Sequence, residues 1–236
     1  MKGKDMYKYS EYNREERNLC SHLFRLLLSE YPQYGPLKEF VGDSEIINPR
    51  IFSEVALLRD AYFIRKPNVN NLLDQLCEII ATQENLADYR LYSDLPTILN
   101  NINKTHPKQI RAKAKQNQIL LTEDESILYS CFQGMFNAKP DLVVCYNNNL
   151  LIYEAKYTLN FDQKQIDRTR KIGEVWKQLL YEDLDFDTMP DVKLFKLGLE
   201  KYNPHISWQD VLKIGNKYLK EGDLSLEAFN NAVKFS

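Results

Sequence analysis

Cysteine is scarce in this chain and nowhere paired. Four residues in 236, Cys20, Cys77, Cys131 and Cys145, share no common spacing, which argues against a disulfide framework or a thiolate zinc site. The apolar neighbours of each read as buried free thiols. Long apolar runs are missing as well: none approaches the ~20 residues that cross a bilayer, and the opening MKGKDMYKYSEYNREERN has no apolar core of signal-peptide length. The expected setting is reducing and cytoplasmic, with no membrane partner. An excess of one charge is absent too, since the net charge is −2. No global field attracts nucleic acid or membrane, so any polyanion site has to be local. The three histidines, His22, His106 and His205, share no spacing, which argues against a histidine nuclease or a zinc hydrolase.

The chain does have enough apolar residues, 44%, for one good core. The spacing of Leu19, Leu23, Leu26 and Leu27 predicts a helix that ends at YPQYGP, and further helices are expected over RIFSEVALLRDAYF and VNNLLDQLCEIIATQENLADY. Between Asp94 and Glu123 there is no acid, and KTHPKQIRAKAK, Lys104 to Lys115, carries five Lys or Arg. Lys108, Arg111, Lys113 and Lys115 are therefore candidate phosphate contacts. Thr122 and Glu125 match a capping box, so a helix is expected to start there, with a tail that also reads as strand. Strand periodicity then takes over in DLVVCY and NLLIYEAKYT, separated by Asn147 and Asn148 as a hairpin turn. A helix over DQKQIDRTRKIGEVWKQLLYED, a strand in VKLFKLGLE and a helix capped by Ser207 complete the chain. Trp176 and Trp208 are expected in the core.

The hairpin brings acids together. With a two-residue turn Tyr146 pairs with Asn149, and counting back puts Asp141 across from Glu154. Opposed Cβ atoms in a sheet lie only about 4.5–5.5 Å apart, and two like charges there are destabilising unless something compensates them. A divalent cation with oxygen ligands, Mg²⁺ or Mn²⁺, is the natural compensator. Side-chain alternation sends Glu154 and Lys156 to one face and Tyr153, Ala155 and Tyr157 to the other. Two acids and an amine on one face make a plausible centre for phosphodiester hydrolysis.

Pro140-Asp141, twelve intervening residues, and then Glu154-Ala155-Lys156 resemble the signature of the PD-(D/E)XK nuclease superfamily. The resemblance spans roughly Glu123 to Leu212. It implies an α/β fold with a restriction-endonuclease-like core, a small mixed sheet flanked by helices. A single domain over 1–236 is expected, in which 1–118 is mainly a helical elaboration and 119–236 the core. It also implies metal held by Asp141, Glu154 and the Ala155 carbonyl, Lys156 positioning or activating water, and a nucleic acid, DNA foremost, as partner; a homodimer is compatible with it. Many such proteins add a Glu from an early helix. Glu16 is the candidate, three residues before Leu19 and seven before Leu23 on the apolar face, with Glu54 and Glu125 as alternatives. Gln165 and Arg168 match the polar position that joins the site from the helix after the Glu-Ala-Lys strand, and the resemblance makes both candidate nucleic-acid contacts.

Two other readings compete with a nuclease. A catalytically inactive nucleic-acid-binding or assembly module could keep the fold, and a glycosidase also needs two acids. The latter has no use for Lys156, and directly opposed carboxylates sit near or below the ~5 Å of a retaining site.

Overall fold

A computed structural model describes residues 16–64, 69–87, 122–157 and 160–234. In chain order the elements are helix α1, Glu16–Leu27, helix α2, Gly35–Val41, strand β1, Arg50–Ser53, and helices α3, Leu57–Ile64, α4, Val69–Glu84, and α5, Glu123–Phe136. Strands β2, Leu142–Tyr146, and β3, Asn149–Ala155, follow. Helix α6, Gln163–Leu179, leads to β4, Asp191–Gly198, and the two-residue β5, Ile206–Ser207. Helices α7, Trp208–Tyr218, and α8, Leu224–Lys234, close the fold.

The sheet runs β1-β2-β3-β4-β5, antiparallel from β1 to β3 and parallel from β3 to β5. It is a mixed sheet flanked by helices, an α/β architecture. Val143, Cys145, Leu150 and Ile152 join a core with α3, α4, α5 and α6. Leu142, Val144, Leu151 and Tyr153 join a second core with α1, α2, α7 and α8. Because both faces are covered, the central strands read as unbroken apolar runs. Trp176 and Trp208 are fully buried, one in each core.

Local signals explain several boundaries. Thr122 and Glu125 form the expected capping box at the start of α5, and Ser207 with Asp210 forms another at α7. The tail of α5 is helical to Phe136, not strand. The helix expected over 50–63 needs correcting. Its first four residues are strand β1, and the helix begins only at Leu57. Pairing with β2 supplies hydrogen bonds that helical spacing alone cannot reveal, and Glu54 sits in the left-handed region at φ 55°, which interrupts any helix there. Cys131 is only half-buried, unlike the other three thiols. Lys108, Arg111, Lys113 and Lys115 lie outside the described residues. Among the described residues no helix is long and apolar enough to cross a membrane.

Candidate active-site cleft

The cleft forms where β2 begins and β3 ends. Tyr146 pairs with Asn149 and Leu142 with Tyr153, so one step further Asp141 falls opposite Glu154, as the two-residue turn predicts. Asp141 is anchored twice. Its Oδ2 accepts the Ala155 N–H at 2.7 Å, and its backbone carbonyl accepts the Ser53 hydroxyl at 3.2 Å. Ala155 itself points the other way, into the second core.

Glu154 is only 6% exposed and faces α6. The Thr169 hydroxyl donates to its Oε1 at 2.6 Å, and the Gln165 amide donates to its Oε2 at 2.7 Å. Residues four apart lie on one helix face, so α6 presents both donors together. These donors are neutral and compensate none of the carboxylate's charge.

The backbone of Lys156 is fixed from two sides: its N–H donates to the Leu197 carbonyl at 2.8 Å, and its carbonyl accepts the Trp208 indole N–H at 3.1 Å. The ammonium group is 3.3 Å from Glu16 Oε2, while Glu16 Oε1 accepts the Tyr157 N–H at 3.2 Å. The N-terminus of α1 thus carries Glu16 to the end of β3 despite their separation in sequence. Glu54, turned by its left-handed backbone, also lines the cleft and lies 3.6 Å from Arg17. Glu125 does not: it is 1% exposed and accepts the Thr122 N–H at 2.8 Å in the helix cap.

The result is a cleft of about 400 Å³ in which Glu16, Glu54, Asp141 and Glu154 meet the cations Arg17, Lys139, Lys156 and Arg168. Thr169, Arg17 and Lys139 were not singled out from sequence. Thr169 was detectable as the residue one helical turn beyond Gln165, and Arg17 and Lys139 as cations adjacent to Glu16 and to Pro140-Asp141. Burial raises the Asp141 carboxyl to about 7, against the Ala155 N–H that lowers it, and the charge of Glu154 raises it further. Burial also raises Glu154, opposed first by the Thr169 hydroxyl. Each carboxyl carries its charge at a cost that a nearby cation would relieve.

The donors suit a hard cation that keeps water in its shell. All are oxygens, and each carboxylate oxygen retains a lone pair beyond the hydrogen bond it accepts. Among the described residues no group of three or more His, Cys, Asp and Glu side chains could enclose a metal ion, so a closed site of the structural-zinc kind does not fit. Neither a family model nor a solved structure matches the chain.

Proposed function

We propose that the chain is a divalent-cation-dependent nuclease with a restriction-endonuclease-like core, hydrolysing phosphodiester bonds in nucleic acid, DNA foremost, in defence, repair or mobile-element biology. The convergence of Asp141, Glu154 and Lys156 on one cleft carries this reading. The mixed sheet with helices on both faces agrees with it. Asp141, Glu154 and the Ala155 carbonyl would hold Mg²⁺ or Mn²⁺. Such an ion, when bound, lowers the pKa of a water and offsets charge on a phosphoryl oxygen. Lys156 adds a positive charge beside the attacked group, and Glu16 fixes where that ammonium sits. Gln165 and Thr169 hold Glu154 in one orientation. Lys108, Arg111, Lys113 and Lys115 remain candidate contacts to the backbone of a bound strand.

The test is incubation with single-stranded, duplex and branched DNA and with RNA, in Mg²⁺, Mn²⁺ or chelator. Cleavage of at least one substrate that stops in chelator is the expected result. Binding without cleavage in any metal would favour the inactive nuclease-fold module instead.

Thr169 supplies a finer test. Replacing it with valine keeps the shape but removes the donor to Glu154, and losses of this kind cost about 10–100-fold in metal affinity or activity. Thr169→Ser restores the hydroxyl and should restore the activity. Equal Mn²⁺ affinity and cleavage in the valine and serine variants would deny the hydroxyl a role.

A further inference from the structure

The geometry assigns Arg168 as the contact to a backbone phosphate of the substrate, with Gly134 kept free of a side chain as its seat; the assignment rests on the nuclease reading above. Gly134 lies in the last turn of α5, where glycine is a poorer helix former than alanine or leucine. Its backbone φ is not positive, so no turn requires it. Space does. A Cβ at this position would come 3.0 Å from Arg168 Nη2 and 3.6 Å from its Cζ. Arg168 in turn donates from Nη2 to the Gly134 carbonyl at 3.2 Å. The guanidinium therefore lies against bare helix backbone.

The charge pattern around the cleft says what such a seated group is for. Arg17 and Lys156 both face carboxylates, Glu54 and Glu16. Nearby on α6, Arg170 is paired with Asp167 and Lys171 with Glu84. Arg168 has no acidic partner among the described residues. Among the described residues its hydrogen bond to the Gly134 carbonyl leaves most of its five donors available, in the fork geometry that grips phosphate oxygens in pairs. It also follows Gln165 by three residues and precedes Thr169 by one. The helix that holds Glu154 therefore also sets the position of the free guanidinium, and a phosphate gripped there is in register with the carboxylates. Lys139, which lines the same cleft, adds a second cation without an acidic partner among the described residues.

The experiment is a thermodynamic cycle on Arg168→Ala, Gly134→Leu and the double variant. Binding of a fluorescein-labelled DNA oligonucleotide is followed by anisotropy in Ca²⁺ over a range of NaCl, with single-stranded and duplex arms. Leucine is a good helix former and fills the seat. Each single variant should weaken binding about tenfold, the loss of a charge-assisted hydrogen bond, and lower the salt slope by about one. The double variant should bind no more weakly than Arg168→Ala, since both changes remove one contact. Mn²⁺ affinity of each variant should stay at the wild-type value, and Tm should hold for Arg168→Ala and hold or rise for Gly134→Leu, where a better helix former replaces glycine. Wild-type binding by Gly134→Leu, losses that multiply in the double variant, or a parallel loss of Mn²⁺ affinity would each overturn the assignment while leaving the nuclease reading in place. A wild-type protein that binds neither arm would remove both.

Discussion

Glu154→Gln should reduce cation-dependent cleavage by at least ~10²–10³-fold, the scale on which losing one electrostatic partner of a reacting centre acts, while the protein folds as before. The substitution keeps the volume and removes one negative charge from the pair that would hold the cation. The hydrogen bonds survive it: the new amide oxygen accepts from the Gln165 amide, and its NH₂ group donates to the Thr169 hydroxyl, which can act as acceptor as well as donor. Both neighbours already lie at 2.7 and 2.6 Å from the Glu154 oxygens, so no buried polar group is orphaned. In the absence of metal the variant should be at least as stable as the wild type, because a buried charge facing Asp141 has been removed. Circular dichroism, Tm and cleavage measured together separate the outcomes. A folded Glu154→Gln protein cleaving at the wild-type rate would remove Glu154 from the chemistry and with it the central support for a nuclease.

Asp141, Glu154 and Lys156 were legible in the sequence because a hairpin is a local object. A two-residue turn and two apolar runs leave one register that buries both faces, and that register dictates which side chains oppose. Glu16 was a candidate only through the resemblance and its place on a helix face, with Glu54 and Glu125 as alternatives. Its arrival beside Lys156 depends on α1 packing against the far side of the sheet, a long-range outcome that spacing cannot state. Strand β1 was hidden for a related reason. Ile51, Val55 and Leu58 fit a helical stripe, and four residues become a strand only when β2 offers them a ladder. Thr169 and Gly134 illustrate a third limit. Their roles belong to pairs, Thr169 with Glu154 and Gly134 with Arg168, whose members sit on different elements.

In metal-free protein, stability should fall as pH rises from about 4 to about 7, and Asp141→Asn should remove much of that slope. The Asp141 carboxyl is raised from 3.8 to about 7, first by burial and then by the charge of Glu154. A folded state whose carboxyl has a raised pKa binds a proton more tightly than the unfolded chain. Between the two values the native state carries more protons, so raising the pH favours unfolding. Below about pH 4 both states are protonated and the cost vanishes; above about pH 7 both are ionised and it is complete. At 1.36 kcal/mol per unit the shift corresponds to a few kcal/mol, reduced because the cleft is open to solvent. Glu154 is raised in the same sense and adds to the slope. His22, lowered mainly by burial, has the opposite sign just below pH 6.5 and is common to both proteins, so it cancels in the comparison. Mg²⁺ or Mn²⁺ added near pH 7.5 should restore Tm in the wild type, by binding the ionised pair, and should do little for Asp141→Asn. Thermal melts in chelator across this pH range, repeated with metal, give the answer. Parallel pH profiles for the two proteins, or equal metal-induced shifts in Tm, would mean that Asp141 neither carries this cost nor holds the ion.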